Sequence, residues 1–414
     1  MKRTAILLIV AVMAADAGAA GFRQANQGAA ANGMGNAFTA VADDASAVWY
    51  NPAALTALEG TNLTLGAVFV APQVEHKTAA VTDETKSRFH TLPHFYAARK
   101  LSDKWAVGLG VNAPYGLSTD WDPVNAVTRE IATKSSLKAI YTNLNGAYKV
   151  NENLSVAAGG TFVRMDAVMN KKVENSGAAS QNIEQTLEGD GTSAGWNLAA
   201  MYRWNKWNFG ANYRSKVKVG IDGNINLPTT GIFAGVLPPA NNRPGRTTIT
   251  LPDTFQIGAA YRPNNDWLFS AEADYTNWTT YSQLVIDYQR DNGTWTQTVD
   301  PKNWKAVWAF RLGTEHKVSE NLKLRAGAYY DLTPVKNYYF ETRNPCANRL
   351  AFSVGAGWSR GNWSVDASYL YLKFMERKVG DSIQDNGSLT TGTELAGTYN
   401  SIARLPAVSA SYKF

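Results

Sequence analysis

One cysteine, Cys346, and four histidines are all that 414 residues offer for disulfide, thiol or metal chemistry. A lone cysteine has no partner within the chain, so stability has to come from elsewhere, and Cys346 reads as a loop thiol without a task. His90 and His94 stand four apart; at the strand rise their side chains would lie about 13 Å apart, too far to share a metal ion. The chain has no His-Glu-x-x-His, phosphate loop, Gly-x-Ser-x-Gly or cysteine pair, the spacings on which common hydrolases and nucleotide enzymes depend. The expectation is therefore no enzyme, no metal and no cofactor. Long hydrophobic runs are missing too: beyond the first 20 positions nothing approaches the roughly 20 apolar residues of a membrane helix, and mean hydropathy is −0.27. There is also no run of Lys and Arg, so nucleic acid is not an expected partner.

What is present begins with a leader. Lys2 and Arg3 precede an apolar core from Ile6 to Ala15, and Ala17-Gly18-Ala19 supplies small residues for cleavage, the pattern of a secretory signal peptide over residues 1–19. Losing Lys2, Arg3 and Asp16 with it lowers the net charge from +6 to +5. At the other end, Val408, Ala410, Tyr412 and Phe414 alternate with Ser409, Ser411 and Lys413. A last strand ending in Phe414 on an exported chain resembles the closing strand of outer-membrane barrels, and implies recognition by the barrel-assembly machinery.

From residue 61 onward the dominant period is two, the period of strands. Trp267, Phe269, Ala271, Ala273 and Tyr275 share one face while Glu272 and Asp274 take the other; Leu322 to Tyr330 and Lys305 to Gly313 alternate in the same way. The segments run to ten or more residues, which suits a tilted lipid-facing strand of about 9–11 residues better than the soluble mode of about 5–6. Six short polar joints punctuate them, around Ser102-Asp103, Asn151-Glu152-Asn153, Asn205-Lys206, Asn264-Asn265-Asp266, Ser319-Glu320-Asn321 and Arg360-Gly361-Asn362. Between the joints run seven longer polar connections, near 72–88, 117–134, 170–191, 220–253, 282–302, 332–349 and 376–402. The count predicts an all-β fold, a 14-stranded antiparallel transmembrane β-barrel over 61–414. Trp105, Trp204, Trp207, Trp267, Trp304, Trp363 and Tyr412 near segment ends are expected to form interfacial girdles. Residues 20–60, rich in Gly and Ala, do not alternate. They are expected to fill the lumen as an N-terminal plug, because a barrel of this width is either open or filled.

Several motifs in order carry a resemblance: Ala20-Gly-Phe22, Gly33-Met-Gly-Asn-Ala-Phe38, Ala42-Asp-Asp-Ala45, Asn51-Pro52-Ala53, Tyr115-Gly116-Leu117, Tyr213-Arg-Ser-Lys-Val-Lys218, Leu251-Pro252, Tyr275-Thr-Asn-Trp278 and Thr333-Pro-Val335. Together they resemble the FadL-type long-chain fatty acid outer-membrane transporter family over the whole mature chain. The resemblance implies a bacterial outer-membrane location and passive uptake of a hydrophobic small molecule. Ligand would be captured between extracellular loops, pass to an internal pocket near Phe22, and exit sideways where the third strand kinks. Asn51, Pro52 and Ala53 would be the plug motif. Pro114 cannot donate to a ladder and Gly116 weakens a strand, so Pro114, Tyr115 and Gly116 are the expected gap. Lys171 with Lys172, and Lys302 with Lys305, stand nearest the family's basic positions on strands five and ten, although Asp300 occupies the strand-ten position itself. Expected partners are the ligand, outer-membrane lipid and lipopolysaccharide; a monomer is expected. Two other readings remain open: uptake of aromatic or alkane hydrocarbons by the same route, favoured by an all-apolar pocket, and a surface barrel that transports nothing.

Overall fold

The computed structural model describes residues 21–173, 183–227, 240–289, 293–380, 382 and 395–414; the leader expected at 1–19 lies outside them. Fourteen antiparallel strands close into one ring. They are β1 (Thr61–Lys77), β2 (His90–Lys100), β3 (Trp105–Asp120), β4 (Lys134–Lys149), β5 (Leu154–Val173) and β6 (Ile183–Trp204). Four interrupted strands follow: β7 (Trp207–Arg214, Val217–Leu227), β8 (Ala240–Leu251, Thr254–Tyr261), β9 (Trp267–Thr276, Gln283–Gln289) and β10 (Trp295–Pro301, Val307–Ser319). The ring ends with β11 (Leu322–Asp331), β12 (Arg349–Arg360), β13 (Trp363–Phe374) and β14 (Gly397–Lys413). β14 pairs back onto β1 from Asn62↔Lys413 to Lys77↔Thr398, which leaves no open edge at the seam.

The six short joints lie where the polar pairs place them. Two of the long connections are shorter than expected, since β5 and β6 stay paired out to Val173↔Ile183 and a hairpin pairs Gln283–Gln289 with Trp295–Pro301, whereas the one near 332–349 runs from Asp331 to Arg349 as placed. These outer stretches carry charged residues on their outward side, such as Lys172, Glu184 and Asp190. Away from lipid a strand can be polar on both faces, so its composition reads as loop.

The burial alternation decides which face meets lipid. On β10, Leu312 is 63% exposed while the neighbouring Arg311 is 2% exposed. On β9, Trp267 and Phe269 point out, and Glu272 and Asp274 are buried. A charged interior with a greasy exterior inverts the soluble arrangement, and hydrocarbon is the solvent it fits. Trp105, Trp204, Trp207, Trp267 and Trp363 stand on the outside beside turns, with Trp105 over Tyr148 and Trp363 over Tyr412 at ring separations of 4.6 and 4.7 Å. Trp304 departs from the expected girdle. It is buried, because β10 is interrupted there and the ring turns inward.

Residues 21–58 touch the inward faces of strands from all around the ring, and so lie within it. They form α1 (Ala29–Gly33), α2 (Ala47–Tyr50) and a 3-10 turn over Pro52–Ala57. Glycine on both sides allows the close approach: a Cβ on Gly33 would sit 3.1 Å from Gly355 Cα, and one on Gly327 2.2 Å from Gly35 N. Gly35 also needs its positive φ of 62°, which favours glycine. The polar residues facing inward supply the missing partners for this segment's backbone. Glu272 accepts from Phe38 N (2.9 Å) and Thr39 N (2.7 Å), Ser409 Oγ accepts from Ala29 N (3.1 Å), and Arg214 donates to Trp49 O while lying over the Trp49 ring.

Asn51 is fully buried and ties three places together. Its Oδ1 accepts from Ala53 N (3.1 Å), with Pro52 opening the 3-10 turn, and its Nδ2 donates to Thr39 O (2.8 Å) and to Ala200 O on β6 (3.0 Å). Asn51→Ala should therefore destabilise the barrel by about 2–3 kcal/mol, since it leaves buried carbonyls unmet. The midpoint of heat-induced mobility change on semi-native gels measures this; an unchanged midpoint would show that the amide does not hold the segment.

Candidate functional site

A cavity of about 580 Å³ opens at the outer end of the barrel. One wall is the β9–β10 hairpin, through Leu284, Ile286, Tyr288 and Val299; the opposite wall is Met169, Leu187 and Ile225 on β5 to β7. Among the described residues the hairpin pairs with β8 through Gly245↔Tyr288, Arg246↔Asp287 and Thr247↔Ile286. Interruptions at Pro252, at Asn277–Ser282 and at Lys302–Ala306 free it from the regular wall. A smaller cavity of about 40 Å³ shares Met169, Leu284 and Arg343 with the first and continues past Leu137, Ala167 and Ile249 to Phe22. Phe22 is buried against Trp278 (4.6 Å between ring centres), Tyr281 (5.7 Å), Trp304 (5.7 Å) and Tyr115 (6.3 Å). Gly21 lies flat on this cluster, where a Cβ would meet Trp278 and Trp304 at 2.6 Å.

Next to Phe22 the barrel wall loses its ladder. β2 and β3 pair only from Phe95↔Val111 to Lys100↔Ala106, so His90–His94 and Asn112–Asp120 do not face each other across the sheet. The β3–β4 register slips between Asn112 and Tyr115. Alternation fails at the same place, with five consecutive buried residues from Asn112 to Gly116: the strand has turned into the lumen. Its free edge pairs with the N-terminal segment instead. Gly116 N donates to Phe22 O (2.8 Å), Gln24 N donates to Pro114 O (2.7 Å), and Arg23 bridges Tyr115. Arg23 Nη1 also reaches Asp274 (3.3 Å), which Arg311 Nε holds at 2.9 Å.

Of the basic residues chosen from sequence, Lys171 lines the outer cavity. Lys302 does not: it is fully buried with its ammonium held by Asp300 (2.7 Å) and Glu341 (2.5 Å). Lys305 is exposed and lines neither cavity. Sequence reasoning passed over Arg343, Tyr281 and the inward role of Trp304. It also passed over Pro93, which sits at the end of β2 that pairs with β1 but not with β3, and was a legible signal, because proline blunts a strand edge.

With this geometry in place, the comparison with known proteins is direct. The profile of outer membrane transport proteins (OMPP1/FadL/TodX) matches residues 10–414. The chain belongs to this family. It is 27% identical to outer membrane protein P1 of Haemophilus influenzae over 470 residues, covering 99% of this chain and 98% of the relative. It is 27% identical over 420 residues to the long-chain fatty acid transport protein of Escherichia coli O6:H1, covering 90% and 92%. In fold it is similar to a FadL homologue of Pseudomonas aeruginosa, with a TM-score of 0.82, 20% identity and 95% and 100% coverage. It is also similar to the Pseudomonas putida toluene transporter TodX, with a TM-score of 0.71, 16% identity and 94% and 98% coverage. As a member of the FadL/TodX family the protein is an outer-membrane transport barrel rather than an enzyme.

Proposed function

We propose that this barrel takes up hydrophobic small molecules, long-chain fatty acids foremost, by capture in the outer cavity, transfer to the pocket above Phe22 and sideways release between β2 and β3. The observation that carries the reading is the continuity of that path: an outer cavity with apolar walls and charged residues such as Lys171 and Asp300 among its lining, a smaller and more apolar cavity behind it, and a break in the wall ladder where the second one ends. On this reading residues 21–58 are a plug and Phe22–Gln24 its movable lip, since those three residues occupy the edge that β2 leaves empty. Burial is worth about 0.8 kcal/mol per CH2. Release into aqueous periplasm would forfeit it, whereas release into the bilayer keeps it, so no energy source is needed. The E. coli relative named for fatty acid transport supports the substrate class. The outward aromatic rows would sit among lipid and lipopolysaccharide, with the leader removed and Phe414 read during assembly.

The test is binding and uptake together. Leu284 lines both cavities, and a buried leucine contributes about 2 kcal/mol, so Leu284→Asp should weaken oleate binding by the purified barrel at least about tenfold. Uptake of labelled oleate by cells relying on this protein should fall in step. Wild-type binding and uptake in a correctly folded Leu284→Asp barrel would remove the cavities from the route.

A further inference from the structure

We propose that a basic rim at the outer end of the gap between β2 and β3 docks a phosphate monoester of one lipid A molecule, whose acyl chains then lie across the opening. The site concerns the surrounding leaflet rather than the cargo, so it stands whatever the barrel carries.

The gap has a floor and a ceiling. β2 and β3 part beyond Phe95↔Val111, and the chain closes again where Lys86 N donates to Asp120 O (2.8 Å). Between these points the outward residues on the β2 side are Phe89, Thr91 and Pro93. Phe89 is 74% exposed, an apolar ring that a lipid acyl chain covers and water does not. At the ceiling, Asp120 holds Arg88 Nη2 at 2.7 Å and lies 3.8 Å from Lys86 Nζ. Lys134 stands opposite Asp120 in the β3–β4 register, and Lys138 stands opposite Gly116. Arg88 and Lys138 come from the two sides of the gap, and both lie within electrostatic reach of His90.

Charge is not balanced on this rim. Lys86, Arg88, Lys134 and Lys138 face Asp120 and Asp122, four cations against two carboxylates, which leaves a surplus of two positive charges. Asp122 is also engaged within its own loop, accepting from Val124 N (2.8 Å), Asn125 N (3.2 Å) and Asn125 Nδ2 (3.0 Å). Asp166, opposite Lys138 on β5, lies 3.6 Å from Arg164, which reaches Asp190 at 3.4 Å. Among the described residues Lys134 and Lys138 form no ion pair. The height of the rim is set by β4, whose outward face runs from Leu144, 63% exposed, through Thr142 and Ile140 to Lys138, Ser136 and Lys134. Basic residues therefore begin where the greasy face ends, at the level of the headgroups, where unmatched cations attract anionic lipid. A phosphate monoester carries about −1.5 to −2 at neutral pH with three acceptor oxygens, which matches the surplus. A phosphodiester, with one charge, leaves part of it unmet. Arg88 meets Asp120 through Nη2, and a guanidinium has further donors to offer a phosphate oxygen. Lipid A is the outer-leaflet lipid that bears phosphate monoesters.

Native mass spectrometry of the full-length barrel, titrated in detergent with diphosphorylated lipid A or with lipid A stripped of phosphate, tests the site. One copy of the phosphorylated lipid should be retained at least about tenfold more strongly than the stripped form, the value of one charge-assisted contact. Lys134→Gln combined with Lys138→Gln breaks no ion pair and should remove that preference. Arg88→Gln should do the same from the other side of the gap. Lys149→Gln with Lys317→Gln, at short turns of the opposite end, should leave it unchanged; a loss there too would reduce it to overall charge and overturn the site. Heat-modifiable gel mobility checks that each variant is folded. Equal retention of the two lipid A forms by the wild type, or a preference that survives in both rim variants, would also overturn it. Phosphatidylglycerol held as firmly as lipid A would overturn the assignment to a monoester. Inorganic phosphate competing at equal concentration would give the site to a soluble anion, and the lipid reading would fall.

Discussion

Valine at both Pro114 and Gly116 should lower fatty acid uptake to the level of cells lacking the protein while leaving oleate binding in the outer cavity intact. Proline at 114 removes one backbone donor from β3, and glycine at 116 removes the side chain that would favour extended, paired backbone. Together they mark the stretch where β3 leaves the wall, and where its register against β4 slips. Two valines restore the donor and supply β-branched side chains, which pack well on a pleated surface. The stretch from Asn112 upward can then run on beside His90–His94 of β2, extending a ladder that now stops at Phe95↔Val111. Phe22 would lose its donor and Gln24 its acceptor on β3, and the wall would be continuous beside the inner pocket. None of the residues lining the outer cavity belongs to β2 or β3, so binding there and uptake should separate. Labelled oleate accumulation in cells, beside titration of the purified barrel, reads both quantities. Normal accumulation by a folded double variant would show that ligand leaves by another way.

The strand count was legible in the sequence because turns are local. Asn151-Glu152-Asn153 and Arg360-Gly361-Asn362 announce themselves through residue type, and the outward rows such as Trp267, Phe269 and Ala271 through a period of two. The kink was half legible. Pro114 and Gly116 show that pairing fails, but what replaces it, the backbone of Phe22 and Gln24, lies about ninety positions away and leaves no local trace. The outer ends of β5 and β6 were read as loop, because strands clear of lipid need no apolar face. The site was least legible. Lys302 looked like a ligand-binding cation until its two carboxylates appeared, one of them at Glu341 in another connection. Arg343 carries no local mark of the two cavities it lines. Charge in a barrel lumen acquires meaning only from its partners across the ring, and those partners are set by closure rather than by sequence neighbours.

The same dependence makes Asp274 a sensitive residue of the interior. It is 1% exposed and lies between two guanidinium groups, Arg311 at 2.9 Å on the adjacent strand and Arg23 at 3.3 Å from the N-terminal segment; Gln256 Nε2 donates to its other oxygen at 3.0 Å. Asp274→Ala strands both cations, and breaking a buried pair costs about 3–5 kcal/mol because the remaining charge is unmet. Arg311 is anchored in the wall and has the Tyr329 ring beside it, whereas Arg23 belongs to a stretch joined to β3 by two backbone hydrogen bonds. Relief should therefore come from movement of residues 21–24, the cheaper element to displace. A shift of even 3 kcal/mol raises the displaced population by more than about a hundredfold. In planar bilayers the variant should show frequent ion-conducting openings where the wild type is silent, and the unfolding midpoint on semi-native gels should drop. Asp274→Asn is the informative companion: it keeps the acceptor oxygen and the contact with Gln256 but removes the charge, so an intermediate phenotype assigns the effect to electrostatics. If both variants stay as closed and as stable as the wild type, Arg23 does not hold the segment, and its anchorage must rest on the aromatic packing of Phe22 and the two backbone hydrogen bonds to β3.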